Sequence, residues 1–336
     1  MKHDRILLAH GSGGLMSQRL IDEIFKKAFN NDIMEPMLDG AILDLPAGKL
    51  AMSTDSFVIT PLFFPGGDIG KLSICGTVND LLACGAQPLY LSTAFIIEEG
   101  LPISDLRSIV ASMAETARQV GVKLVTGDTK VVEKGSADGV FINTTGIGII
   151  PAGIDYLPQR INSGDKVIVT GNIGDHGLAI LAQREGLSFS TPVLSDCAPL
   201  YQLKDMIDKY QDAIRCMRDP TRGGLATVLN EIAVQAGVGI RVKEADIPVS
   251  VAVQGACDML GMDPLYMANE GKMVIFVAAE AAEDFLNDLH KMSQTENAAL
   301  IGRVSPEPAG MVLVETELGA ERILGVLEGE HIPRIC

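Results

Sequence analysis

The chain has 336 residues, 47% hydrophobic and 21% charged, with a mean hydropathy of +0.25; that size and composition imply roughly two globular domains with a substantial core. A formal net charge of −16 excludes general affinity for nucleic acid or anionic membrane surfaces, both of which repel a polyanion. No apolar run approaches the ~18 residues of a membrane span, and the apolar stretch near the start is too short for a secretory signal, so a cytoplasmic chain is expected.

The six cysteines form no CxxC pair, as expected of reduced thiols. With 4% aromatics and no Trp, the core must be built from Val, Ile, Leu, Ala and Met. In chain order, His10-Gly11-Ser12-Gly13-Gly14 is a glycine loop before a helix with Leu20, Ile21, Ile24, Phe25 and Ala28 on one stripe. Apolar runs near 41–45 and 49–53 around Pro46-Ala47-Gly48 read as a hairpin. Leu62 to Gly67 is a loop. A helix from Ile69 turns Ile74, Val78, Leu81 and Leu82 inward and stops at Cys84-Gly85.

A strand at 89–97 precedes a helix capped by Ser104, with Leu106, Ile109, Val110, Met113, Ala117 and Val120 inside. Strands follow at 122–126, ending in Gly127-Asp128, and at 140–150. The Pro- and Gly-bearing stretch 151–158 reads as a domain boundary. Beyond it come a strand at 166–170, a Gly171-to-Gly177 loop with its helix, and a helix opened by Asp219-Pro220-Thr221-Arg222-Gly223-Gly224. Strands at 240–242, 273–277, 300–304 and 311–314 complete the pattern, with a helix at 281–292 among them.

Candidate chemistry rests on isolated Asp residues at element ends. Asp55, Asp80, Asp128 and Asp219 stand among Gly, Ser, Thr or Asn, and Asp39 precedes Gly40. Mg²⁺ prefers hard oxygen ligands and keeps waters and substrate phosphates in its shell, so Asp residues from separate loops converging on a triphosphate suit it. Each alone also reads as a turn or cap residue. Asn79-Asp80 fits that second reading least, because Asp is a poor helix-interior residue. Gly11-Ser12-Gly13-Gly14 and Arg222-Gly223-Gly224 stand before helices, whose N-termini attract anions. Neither is a Walker A loop, and the Gly171 loop has the wrong spacing for a dinucleotide. Lys71, Lys130, Lys134, His10, His176, Arg222 and Glu270 are available as acid, base or charge partners.

The sequence ends in His331-Ile332-Pro333-Arg334-Ile335-Cys336. The Gly- and Glu-bearing run before it reads as a flexible tail, which makes Cys336 a candidate carrier thiol. A prenylated Cys would need three residues after it.

Taken together, these motifs resemble the superfamily of aminoimidazole ribonucleotide synthetase, selenophosphate synthetase and thiamine-monophosphate kinase. The order matches along nearly the whole chain: Asp39-Gly40-Ala41, Thr54-Asp55-Ser56, Asn79-Asp80, Gly127-Asp128, and Asp219 through Gly224. The Pro333-Arg334-Ile335-Cys336 ending, with the His10 loop and Gly174-Asp175-His176-Gly177, closely resembles the HypE family of hydrogenase maturation proteins.

The resemblance implies an α/β (α+β) chain of two-domain PurM-like architecture with a flexible C-terminal tail. Residues 1–34 would carry the glycine loop and helix, 35–155 the ATP-binding and dimerisation domain, 156–322 the C-terminal α/β domain, and 323–336 the tail. It implies a homodimer using ATP and Mg²⁺, a carbamoyltransferase partner HypF that loads Cys336, and a HypC–HypD complex that receives cyanide. Asp55, Asp80, Asp128 and Asp219 would be Mg²⁺–nucleotide ligands, joined by Asp39. Lys71, Asn79 and Thr129 would help hold the nucleotide, and Arg222 would meet phosphate. Lys134 and Glu270 would form a proton-relay pair, with His10 as a further candidate.

The chemistry is coherent. The oxygen of a thiocarboxamide leaves poorly, whereas after γ-phosphoryl transfer phosphate leaves and a base removes the N–H proton, giving Cys–S–C≡N. Such a transfer rests on positioning and charge neutralisation. The competing expectations are a selenophosphate synthetase or small-molecule kinase of the same superfamily, and a non-catalytic assembly scaffold. The first would carry a Cys in the N-terminal glycine loop, where His10 and Ser12 stand here.

Overall fold

The computed structural model describes residues 4–37, 40–187, 189 and 192–326. Asp39 and Cys336 lie outside the described residues. After a 3-10 turn at Leu8–Gly11, helix α1 (Leu15–Leu20) runs through a π-helical stretch, Ile21–Lys26, into α2 (Lys27–Phe29). The expected stripe is buried at Leu20, Ile24 and Phe25, and Phe29 extends it.

Strand β1 (Lys49–Phe57) is followed by the small hairpin β2 (Phe63–Phe64) and β3 (Gly67–Asp68), where a loop was expected. Helix α3 (Ile69–Ala83), β4 (Gln87–Glu98), α4 (Ile103–Val120), β5 (Lys123–Val132) and β6 (Val140–Ile150) complete the first half. The sheet is ordered β1-β6-β4-β5, with only β4 and β5 parallel. Two local expectations are corrected. Residues 41–45 form no strand; β1 pairs with β6 instead, Lys49 opposite Ile150, and Ile42 is left 79% exposed. Ser104 does not cap α4, because the helix already begins at Ile103 and the Ser104 hydroxyl donates to Asp105.

The second half contains β7 (Lys166–Val169), α5 (Asp175–Glu185), α6 (Leu203–Tyr210), β8 (Ile214–Arg218), α7 (Gly224–Ala236), β9 (Gly239–Lys243) and α8 (Val251–Leu260). It ends with β10 (Val274–Val277), α9 (Ala282–Leu289), β11 (Ala299–Ser305), β12 (Val312–Glu315) and β13 (Glu321–Ile323). Its seven-stranded sheet is ordered β13-β12-β9-β11-β7-β10-β8. Four elements have no counterpart in the expectations above: β8 and β13 are short, α8 is interrupted by Gly255, and α6 does carry the helical spacing Leu203, Met206, Ile207 and Tyr210, with the first three buried.

Nearly every residue of α3 is buried; only Lys71 and Asp80 are partly exposed. A helix apolar on all sides needs cover on all sides. The first sheet and α4 supply part of it. The rest comes from the second half, since Cys75 and Val78 share one apolar core with Cys197, Leu200, Met217 and Ile275. Across this junction runs a strap, residues 193–200, without regular secondary structure. The Asn79 amide holds it: Nδ2 donates to Ala198 O at 3.1 Å, and Oδ1 accepts from Leu200 N at 2.8 Å. Asn79 was expected to help hold a nucleotide; here both ends of its amide brace the strap.

Asn79→Ala would leave two buried backbone groups without partners. A loss of about 2–4 kcal/mol is expected from urea unfolding, on the cost of unsatisfied buried groups; a change below about 0.5 kcal/mol would mean the strap is held elsewhere.

Candidate functional site

Three of the singled-out carboxylates converge. Asp55 lies on the α3 side of β1, at the level of Gly76, where an added Cβ would stand 3.5 Å from Asp55 Oδ2. Asp80 is near the C-terminal end of α3, and Asp219 follows β8 directly. The Ser53 hydroxyl donates to Asp80 Oδ2 at 2.5 Å.

Burial raises the pKa of Asp55, against the Ser56 amide and the Arg222 charge. Burial also raises that of Asp80, as does the charge of Asp55, while Ser53, Arg218 and Arg222 oppose. Asp219 is pushed up to about 7, by burial first and by the charges of Asp80 and Asp55, with Arg218 opposing. Carboxylates that raise one another's pKa mark a site that gains from a bound cation. Arg222, expected to meet phosphate, acts here through its charge on Asp55 and Asp80. Arg218, which also pairs with Glu231 at 2.9 Å, was missed in the sequence. Its position beside Asp219 was the available signal.

Glu270 lies behind the cluster. It is 4% exposed, and its Oε1 has no hydrogen-bond partner. Burial holds its carboxyl well above the ordinary range, reinforced by Cys197, Asp219, Asp196 and Asp55. Lys71 is nearby, its Nζ donating to Gly66 O at 3.0 Å and its charge acting on Cys197.

The other candidates stand elsewhere. Asp55 is in register with Thr144, Thr144 with Thr93, and Thr93 with Gly127, which precedes Asp128. Asp128 is thus three strands away, about 14 Å at the usual strand spacing. It is exposed and held below the usual carboxylate range by Lys130, whose Nζ is 2.6 Å from both its oxygens. Asp128 Oδ1 also accepts the Thr129 amide.

The expected Lys134–Glu270 pair is corrected within one chain. Lys134 is exposed in the turn after β5, where its charge acts on Glu98, at the sheet edge opposite the carboxylates. His10 is buried, and its Nδ1 accepts the Leu7 amide at 2.9 Å. Among the described residues, no three carboxylate, His or Cys side chains can hold a metal ion by themselves.

His10, Thr93 and Asp128 line a cavity of about 330 Å³ whose apolar wall includes Phe25, Phe29 and Phe95. The glycine loop rims it and lies directly on β5: a Cβ on Gly11 would stand 2.7 Å from Val131 N. Thr93 Oγ1 is buried in the wall without a partner.

Among the described residues, no helix is long and apolar enough to cross a membrane. Residues 38–150 match the AIR synthase related protein N-terminal domain, and 162–330 the corresponding C-terminal domain. The chain is 47% identical over 336 residues to carbamoyl dehydratase HypE of Azotobacter vinelandii, covering 100% of this chain and 98% of the relative. Against carbamoyl dehydratase HypE of Escherichia coli K12, identity is 48% over 340 residues, covering 99% and 100%.

A crystal structure of hydrogenase maturation protein HypE in complex with ATP superposes with a TM-score of 0.94 at 49% identity, covering 98% of this chain and 99% of that one. A chain of a HypE–HypF complex reaches 0.81 at 48%, covering 92% and 99%. Thiamine-monophosphate kinase of Stenotrophomonas maltophilia, 20% identical over 89% of this chain and 95% of its own, shares the fold at 0.68. The AIR synthase-like architecture expected from the motifs is therefore present, and with relatives near half identity along its whole length the chain belongs to the HypE family of carbamoyl dehydratases, proteins of hydrogenase maturation.

Proposed function

We propose that this chain uses ATP to dehydrate a thiocarboxamide on Cys336 to a thiocyanate, supplying cyanide for the iron of a [NiFe]-hydrogenase. The observation that carries this reading is Glu270, a buried carboxyl with a free oxygen, set behind the Asp55–Asp80–Asp219 cluster. Cation-binding carboxylates beside a carboxyl whose pKa is displaced toward neutrality are what phosphoryl activation followed by proton removal requires. The HypE–ATP and HypE–HypF structures support ATP as substrate and a HypF-type carbamoyltransferase as the partner that loads Cys336. A HypC–HypD complex would receive the cyanide, in the cytoplasm.

The adenosine would enter the cavity beside β5, where the Phe25, Phe29 and Phe95 side chains meet an aromatic base and Thr93 Oγ1 offers a hydrogen bond. Asp55, Asp80 and Asp219 would hold Mg²⁺ with help from phosphate oxygens and water; bound there, it neutralises developing phosphate charge. Arg222 and the α7 N-terminus, which has no side-chain cap, face the same phosphates. Glu270 takes the N–H proton as phosphate leaves.

Division near 151–158 gives the first domain the nucleotide and the second the base. Asp128 and Lys134 stand far from the cluster in one chain, and a homodimer through the outer face of the first sheet is the proposed way to complete the site. That face exposes Leu50 (55%), Met52 (72%) and Ile96 (43%). Near-half identity to carbamoyl dehydratases along the chain favours the dehydratase over the kinase and synthetase alternatives, and the displaced carboxyls favour it over a scaffold.

Intact mass, after incubation with carbamoyl phosphate, Mg-ATP and a carbamoyltransferase partner, tests the reaction. An adduct that then loses one water only with ATP is expected, absent from Cys336→Ala and slowed about 10²- to 10⁴-fold by Glu270→Gln, the usual weight of a general base. An adduct on Cys336→Ala would refute the assignment.

Met52→Asp should convert the dimer to a monomer in sedimentation, and an unchanged dimer would place the interface elsewhere. Without Mg²⁺, Asp219 has a folded pKa of about 7 against an ordinary 3.8, so its stabilising protonation is complete below 3.8 and lost as pH rises through 7. Asp219→Asn, which cannot ionise, should therefore raise the melting temperature more at about pH 8 than at about pH 5; equal shifts would mean that Asp219 does not titrate there.

A further inference from the structure

Glu270 has no side-chain bond to fix its Oε1, so its position is set by its backbone. Two clamps hold that backbone. Asn269 Nδ2 donates to Pro220 O at 2.9 Å, its own amide donates to the same oxygen at 3.1 Å, and its Oδ1 accepts Gly174 N at 2.8 Å, which ties the turn to the segment bearing Asp219.

The second clamp is Asp196, on the strap. Its Oδ1 accepts the Glu270 amide at 3.0 Å, its Oδ2 accepts the Gly271 amide at 3.2 Å, and Lys272 Nζ stands 3.2 Å from Oδ2. The Asp196 side chain is only 3% exposed and that of Lys272 only 11%. The approach is close enough that a Cβ on Gly271 would stand 1.9 Å from the Asp196 carbonyl oxygen, so only glycine fits there.

The strap is itself held rigidly. Ser195 N donates to Pro65 O at 2.8 Å, and Ser195 Oγ meets a His176 ring nitrogen at 2.7 Å and accepts Cys197 N at 3.0 Å. Asn79 braces its far end. A buried carboxylate is costly unless paired and fully hydrogen-bonded, and Asp196 satisfies both conditions using only the turn that carries Glu270.

We infer that Asp196 is a positioning residue: through the Glu270 and Gly271 amides and Lys272 it sets where the Glu270 carboxyl stands against the Asp55–Asp80–Asp219 cluster. This rests on the reading of Glu270 as the base. Asparagine at 196 keeps one acceptor and turns an NH₂ against the second amide. Alanine loses both acceptors and removes the carboxylate paired with Lys272, whose Nζ keeps the Gly271 carbonyl at 3.3 Å.

The test is the single-turnover rate of water loss from the carbamoylated full chain with Mg-ATP, alongside the KM for ATP and a thermal melt. Asp196→Asn is expected to slow the step about tenfold and Asp196→Ala about a hundredfold, the scale of a misplacement near 1 Å, with the KM for ATP within about twofold because the nucleotide is held elsewhere.

The deciding variant is Asp196→Asn combined with Glu270→Gln. If Asp196 acts through Glu270, the first change costs nothing further once the second is present. An equal loss in both backgrounds would overturn the positioning role while leaving the base reading intact. Glu270→Gln running at the wild-type rate would overturn both. A folded Asp196→Asn with the wild-type rate would overturn the positioning role alone; should Asp196→Ala fail to fold, the isosteric Asn variant still decides.

Discussion

Asp55, Asp80 and Asp219 repel one another, and the fold has to hold them together against that repulsion. Each is carried by an element with little freedom to move away. Asp55 is on a strand paired along its length with β6, Asp80 on a helix buried on nearly every side, and Asp219 on the first residue after a sheet-edge strand. Arg218 and Arg222 relieve part of the repulsion, and burial works against the relief. The outcome is a set of carboxyls displaced from their ordinary range, which a cation and a triphosphate would settle.

The cluster straddles the two halves. Asp55 and Asp80 come from the first sheet and its helix, Asp219, Arg218 and Glu270 from the second half. Their relative placement therefore depends on the shared apolar core around α3 and on the strap that Asn79 and Asp196 hold. Packed interiors resist small displacements, so a site built across such a junction inherits its rigidity. The same arrangement explains why α3 is apolar all round: a helix with a wet face could not sit between two domains.

Charge is distributed to match. The β5 edge carries Asp128 paired with Lys130 beside the cavity, a locally neutral pair. The β1 edge carries Asp55, and beside it stand Asp80 and Asp219, whose mutual repulsion Arg218 and Arg222 relieve only in part. Apolar groups on the outer sheet face lie between these edges, which is where a second copy would bring one edge toward the other.

Much of this was legible in the sequence. Isolated Asp residues among Gly, Ser and Thr marked element ends, an Asn-Asp pair inside an apolar helix marked a polar point in a core, and glycine loops marked helix starts. These are local signals, set by backbone propensity and by side-chain period over a few residues. Long-range contacts were not legible. Asp196 in Ser-Asp-Cys belongs to no periodic pattern, and its partners at 270, 271 and 272 are visible only once the chain has folded back on itself. The supposed strand at 41–45 had the right composition but no neighbour to pair with, and the supposed Lys134–Glu270 pair joined residues that the sheet places at opposite edges. By itself the sequence determined which residues bear charge, where helices start and which chemistry is available. Tertiary structure alone decided which charges meet, because electrostatic and hydrogen-bond energies depend on distances of a few ångströms that chain order does not specify.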